Sequence, residues 1–240
     1  MKFLLKFLSY GVVASALLIS CTDDAAVPTV SSPPLGSDFY PLITNRYTVY
    51  DVEEVRYSLR NGADTNRYQL QERVTDSLVG AGGEIIYFLE RYTRDSSAED
   101  WRLDSLWTAR KSEQQVVVVE NNVPFVKLVF PFREELQWDG NALNVRPSLT
   151  YTLTSTDSTV RQEIGTEWDE LLSDSRTVVQ RRLETLVNDS ILVETYAPAV
   201  GLIYKKSRIL QYCADQECIG QKQIESGRSY RQTLTEYGKE

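Results

Sequence analysis

The chain has 240 residues, with 34 acidic against 26 basic side chains, a formal net charge of −8 and no histidine. The missing imidazole excludes Ser-His-Asp and Cys-His nucleophile systems and histidine-ligated zinc, copper or non-haem iron; carboxylate chemistry, lysine or tyrosine bases and oxygen-ligated calcium stay open. There is no basic block and no aromatic set flanked by arginines, so nucleic acid is not an expected partner, and no cofactor or metal is called for.

Lys2 and Lys6 precede an uncharged apolar stretch from Phe7 to Ile19. It is shorter than the ~20 residues a membrane-spanning helix needs, so residues 1–20 read as a secretory signal and are set apart from fold reasoning. Leu18-Ile19-Ser20-Cys21 resembles the lipobox of bacterial lipoproteins. The resemblance implies cleavage before Cys21, diacylation of its thiol and acylation of the new amino group. Several acyl chains are needed because one alone binds membranes only marginally. Residues 21–37, with small residues and prolines, suit a flexible lipidated tether. Asp23 and Asp24 resemble the acidic export signals of Bacteroidetes surface lipoproteins, and they read equally as a polar linker. The expected address is the outer membrane, on its periplasmic face or at the cell surface.

Residues 38–240 suffice for a single β-rich domain. Phe39-Tyr40-Pro41-Leu42 opens it. Period-two patterns follow from Tyr47 to Leu59, then a turn at Asn61-Gly62. Tyr68, Leu70 and Val74 alternate with Arg67, Gln69, Gln71 and Arg73, giving one buried and one wet face. Gly80-Ala81-Gly82-Gly83 breaks the chain before a strand from Ile85 to Tyr92. Trp101 to Thr108 is another strand. Val116 to Val119 and Val126 to Phe130 flank a hairpin turn at Glu120-Asn121-Asn122, and the four valines suit a strand covered on both sides. Leu149 to Leu153 is a short strand, and Trp168 to Leu172 one or two helical turns. Val178 to Leu186 and Ile191 to Tyr196 form a hairpin about Asn188-Asp189, with a helix over Glu167 to Leu186 as the alternative. Val200 to Tyr204 and a hairpin around Cys213 and Cys218 complete ten or more strands. The predicted fold is all-β with few helical turns: a curved antiparallel sheet forming an open or half β-barrel, with a β-sandwich as the alternative.

Cys213 and Cys218 enclose four residues. In an oxidising envelope so close a pair reads as a disulfide, contributing about 2 kcal/mol through loop entropy. A redox or metal role lacks both CxxC spacing and partner ligands.

Four fragments in order are similar to a family of Bacteroidetes lipoproteins with no established activity. They are Phe39-Tyr40-Pro41-Leu42 with Tyr47-Thr48-Val49-Tyr50, Val74 to Leu78, Leu128 to Arg133 running into Trp138-Asp139-Gly140-Asn141, and Tyr196 to Tyr204. The chain departs from the family at Asn45 and Ala199, where glycine is usual, and at Tyr47, where tryptophan is usual. The resemblance implies a β-rich envelope lipoprotein and transfers no catalytic residue.

Trp138, Asp139 and Asn141 form a candidate recognition loop able to stack on and hydrogen-bond a sugar; a turn with Trp138 as core anchor is the favoured structural reading. Tyr196 to Gly201 reads as a sharp connection between strands, with a ligand mouth as the alternative. Glu53-Glu54, Glu134-Glu135 and Asp169-Glu170 are not themselves acid–base sites, because adjacent residues of a strand face opposite ways. Asp-Ser followed by an aliphatic residue resembles the Bacteroidetes O-glycosylation motif, placing candidate acceptors at Ser77, Ser105 and Ser190, with Ser158 a looser match; turn chemistry explains the motif equally.

The expected function is a membrane-anchored envelope lipoprotein in a non-enzymatic ligand-binding or scaffold role, with lipid, glycan or an envelope protein as partner. The alternative is a carboxylate-dependent glycan hydrolase. An apolar cavity favours a lipid carrier, facing carboxylates in a cleft favour the enzyme, and a featureless core favours a scaffold.

Overall fold

A computed structural model describes residues 35–180 and 183–240. The signal segment, Cys21 and all but the last three residues of the tether lie outside the described residues.

The first half of the chain is a meander of β1 (Arg46–Ser58), β2 (Gly62–Val79), β3 (Ile85–Arg94), β4 (Arg102–Lys111), β5 (Gln115–Glu120) and β6 (Val123–Val129). After β7 (Gln137–Asp139) and β8 (Thr150–Ser155) come two short helices, α1 (Ser158–Ile164) and α2 (Asp169–Ser173). β9 (Arg176–Gln180), β10 (Leu183–Glu184), β11 (Asn188–Ala197), β12 (Gly201–Tyr212) and β13 (Ile224–Lys239) complete the fold. All belong to one antiparallel sheet of 13 strands ordered β6-β5-β4-β3-β2-β1-β13-β12-β11-β9-β8-β7, with β10 on β11.

Local sequence explains the hairpins. Asn121 and Asn122 hold φ of 50° and 64°, the left-handed pair that a two-residue hairpin turn requires. Three consecutive valines of β5, Val116 to Val118, are each no more than 1% exposed, so this strand is covered on both faces. The sheet curls at six register shifts, among them Val49/Tyr50, Val74/Asp76 and Thr195/Tyr196, as bulges raise local twist. Curling brings the two ends of the sheet together. Val126 N of β6 donates to Gly140 O just after β7 (3.0 Å), and the Trp138 indole donates to Val126 O (2.9 Å). The result is a nearly closed half-barrel rather than a sandwich.

One end of the barrel is filled with apolar side chains. Leu89, Ala109, Val116, Leu128, Leu153 and Val178 meet Phe39, Leu42, Phe130 and Phe132 there. Packing reaches back to Leu35, whose carbonyl accepts from Phe132 N, and to Gly36, which lies against the Phe132 ring. A second cluster joins the outer helices to the wall. Val160, Ile164 and Leu172 pack with Val193, Ile203 and Tyr204, and the Trp168 indole donates to Leu234 O.

Three local expectations change. The hairpin after β10 turns at Thr185 to Val187, not at Asn188-Asp189. The Thr185 hydroxyl accepts from Val187 N and Asn188 N, while Asn188 and Asp189 already belong to β11. The hairpin expected around Cys213 and Cys218 has no strand directly after Cys218: Ile219 to Lys222 form turns. The strand beyond them, β13, runs for 16 residues and pairs with both β1 and β12, joining the two ends of the chain. Nor is there a long helix over Glu167 to Leu186: α2 ends at Ser173 and β9 follows.

Candidate functional site

Above the apolar floor the barrel interior mixes charged and polar side chains with apolar ones. On β1 the inward residues are Thr48, Tyr50, Val52, Glu54 and Arg56, opposite Glu72, Leu70, Tyr68, Asn66 and Asp64 of β2. Glu72 is opposite Arg91 of β3, and Leu89 opposite Trp107 of β4. Across β13, Tyr230 and Arg228 sit beside Glu54 and Arg56. Across β12, Lys205 lies between Glu194 of β11 and Gln232 of β13. All of these side chains except Val52 and Asp64 line a cavity of about 830 Å³. Its lining holds seven basic residues (Arg46, Arg56, Arg91, Lys127, Arg146, Lys205 and Arg228) against six acidic ones (Glu54, Glu72, Asp95, Asp104, Glu120 and Glu194). It also holds seven tyrosines: Tyr40, Tyr47, Tyr50, Tyr68, Tyr151, Tyr196 and Tyr230. A chain with net charge −8 thus lines its interior with a slight excess of cations.

The innermost charges form one network. Lys127 Nζ lies 2.7 Å from Glu120 and 3.0 Å from Glu194, and Lys205 Nζ lies 3.0 Å from the same Glu194 oxygen. The other Glu194 oxygen accepts from the Tyr196 hydroxyl at 2.8 Å. Burial alone raises the pKa of Glu194, but Lys127 and Lys205 outweigh it and hold the carboxyl well below the usual range. Glu120 is lowered in the same way. Lys127 loses by burial and gains more from the two carboxylates, so it stays firmly protonated. Glu72 goes the other way: burial raises it, and Arg91 offsets this only in part. Burial likewise pushes the Tyr151 phenol up to about 12 and raises Tyr50, Tyr196 and Tyr230. At neutral pH these phenols are therefore neutral hydroxyls. Nearer the mouth, Glu54 pairs with Arg56 (2.7 Å) and Arg228 (2.9 Å).

Of the candidate positions read from sequence, Ser190 and, in the strand connection, Tyr196, Val200 and Gly201 line this cavity, whereas the recognition-loop residues, the other serines and the two cysteines fall elsewhere. The Trp138 ring stacks edge-on against Tyr151, and its indole is used on Val126. Asp139 accepts from Asn141 N and Leu149 N, which lower its pKa, and Asn141 donates to Pro147 O. All three serve the loop that meets β6. Of the serines, Ser77 and Ser158 are exposed, while Ser105 and Ser190 are half-buried and Ser190 lines the cavity. Cys213 and Cys218 are joined through their sulfurs, with Cα atoms 5.8 Å apart. Glu53 and Glu54 do face opposite ways: Glu53 pairs with Arg67 and Arg231 on the outer surface.

The cavity network itself was missed. Its signal was a single charge within an apolar run: Lys127 in Pro124-Phe125-Val126-Lys127-Leu128-Val129-Phe130, and Glu194 in Ile191-Leu192-Val193-Glu194-Thr195-Tyr196. A charge at an inward position of a strand carries a desolvation cost that only a partner inside offsets.

Among the described residues, no helix is long and apolar enough to cross a membrane. No protein-family model matches the chain, and no curated protein matches it. It is similar to a crystal structure from Bacteroides fragilis NCTC 9343, described as an exported protein with YmcC-like fold. That likeness covers 84% of this chain and 99% of the other, at 10% identity and a TM-score of 0.37, too distant to transfer an activity.

Proposed function

We propose that the protein is an envelope lipoprotein, tethered through acyl chains on Cys21, whose half-barrel holds a hydrophilic ligand without transforming it. One observation carries the reading: an open interior of about 830 Å³ whose lining sets thirteen charged side chains and seven tyrosines among apolar ones. A core built only for stability would be apolar, because replacing buried ion pairs by packed hydrophobic residues is often neutral or stabilising. The same lining disfavours a lipid carrier, whose acyl chain would leave those charges desolvated without partners. A hydroxyl-rich or acidic ligand of the glycan kind satisfies them. Purification from native membranes, followed by mass spectrometry of small molecules released on unfolding, tests the ligand. A hydrophilic molecule in stoichiometric amount supports the reading, and a non-covalent acyl lipid refutes it. For the anchor, Cys21→Ala should move the protein from the membrane to the soluble fraction; full membrane retention would refute it.

One observation favours a second reading, a glycan hydrolase. Glu72 is pushed up while Glu120 and Glu194 are held down, the divergence that an acid and a carboxylate partner need. Against it, Lys127 binds both depressed carboxylates and leaves neither free to act. Hydrolysis of an envelope glycan abolished by Glu72→Gln would establish the enzyme.

A further inference from the structure

Within this cavity we infer a subsite for an oxyanion, a carboxylate or phosphate group of the ligand, at Arg91 and Trp107. The inference rests on the ligand-binding reading and specifies the chemistry of one part of it. Trp107 and Arg91 lie on adjacent strands, and the guanidinium carbon sits 3.8 Å from the centre of the indole ring. Both residues line the cavity. Trp107 Nε1 and Arg91 Nε are buried, and neither has a hydrogen-bond acceptor among the described residues. Arg91 Nε lies 3.5 Å from Glu72 Oε2 but makes no hydrogen bond with it. The indoles of Trp138 and Trp168, by contrast, each donate to a backbone carbonyl at 2.9 Å.

Two buried donors without acceptors, side by side in a cavity, are costly unless something else accepts from them. An oxyanion does so with charge assistance from the guanidinium. The surrounding charge agrees. Lys127, Lys205 and Arg228 are closely matched by Glu120, Glu194 and Glu54, whereas among the described residues the one carboxylate paired with Arg91 is Glu72 at 3.5 Å, its other polar neighbour being the neutral Tyr230 hydroxyl. The two donor atoms are themselves buried although their residues line the cavity, so binding there requires the Arg91 side chain to rotate on the indole face and expose them.

The test uses the indole N–H resonances of the four tryptophans in the full-length, micelle-solubilised protein. Acetate and phosphate are titrated separately at constant ionic strength against chloride, and the neutral trisaccharide maltotriose in a third series. The inference predicts a saturable shift of the Trp107 resonance with acetate, phosphate or both, while Trp138 and Trp168 stay in place. Whichever anion acts identifies the group. Replacing Arg91 together with its neighbour, Arg91→Met with Glu72→Gln, should weaken that response at least tenfold without loss of the folded spectrum. A Trp107 resonance unmoved by both anions overturns the subsite. If maltotriose then still shifts cavity resonances, the hydrophilic-ligand reading survives without it; if nothing responds, both fall.

Discussion

Lys127 is the residue on which the interior network depends most. Its side chain is 8% exposed, and it serves Glu194, 1% exposed, and Glu120, 17% exposed, at once. Lys127→Met keeps the stem and removes the charge. Glu194 then retains Lys205, but Glu120 loses its close cation. Breaking a buried pair from one side costs roughly 3–5 kcal/mol, and the partial rescue by Lys205 places the expected loss near ~3 kcal/mol at pH 7. For a domain of this size that lowers Tm by about 6–12 °C. The sign with pH is distinctive. In the native protein both carboxyls are depressed, so they add stability above the ordinary carboxylate pKa and lose it as pH falls below about 4. Without Lys127 they rise, the folded state takes up protons more readily, and the deficit of the variant shrinks as pH falls from 7 to 5. Urea unfolding of both proteins at several pH values measures this. A deficit under 1 kcal/mol that does not vary with pH would show that these charges are not in a low-dielectric interior, and the reasoning would fail. Adding Glu194→Gln should recover part of the loss.

Two further substitutions test the shape of the barrel. A Cβ at Gly140 would lie 2.3 Å from the Tyr151 ring, at the point where Gly140 O accepts from Val126 N. Gly140→Ala should therefore cost roughly 1–3 kcal/mol and speed hydrogen exchange at Val126; unchanged exchange there would mean that the seam is not held by this contact. Ala199 has φ of 57° and an exposed side chain, so Ala199→Gly should raise stability by about 1 kcal/mol through relief of the left-handed backbone, read as an upward shift in Tm. A fall in Tm would contradict the turn geometry.

Most of the wall was legible because the first half of the sheet is built from residues that announce strands. The Val116 to Val119 run, the Asn121-Asn122 turn and the alternation through Leu70 and Val74 are all local signals. β13 was not legible, for a reason tied to what it turns toward the cavity. Its inward residues are Arg228, Tyr230, Gln232 and Leu234, so three of the four are polar and the period-two pattern is blurred. The short helix α1 was hidden as well: Asp157 caps it by accepting from Val160 N, but Ser158 to Ile164 is too brief to show a helical stripe. The cavity arises from residues far apart in sequence. Lys127 and Glu194 are 67 positions apart, and only the curl of the sheet makes them neighbours. The glycine departures were informative in another way, since Asn45 and Ala199 both adopt the left-handed backbone that glycine adopts freely.

The central claim is that the barrel interior holds a hydrophilic molecule, and blocking that interior tests it most directly. Ser207 is half-buried, lines the cavity and lies opposite Tyr230, so Ser207→Trp should fill space there while leaving the sheet intact. Native mass spectrometry of the protein from its own membranes, wild type against Ser207→Trp, is the measurement. The account predicts a non-covalently bound hydrophilic species on the wild type and its loss from a variant of unchanged fold. An acyl lipid in the wild-type cavity, or a hydrophilic species retained equally by the variant, would contradict it.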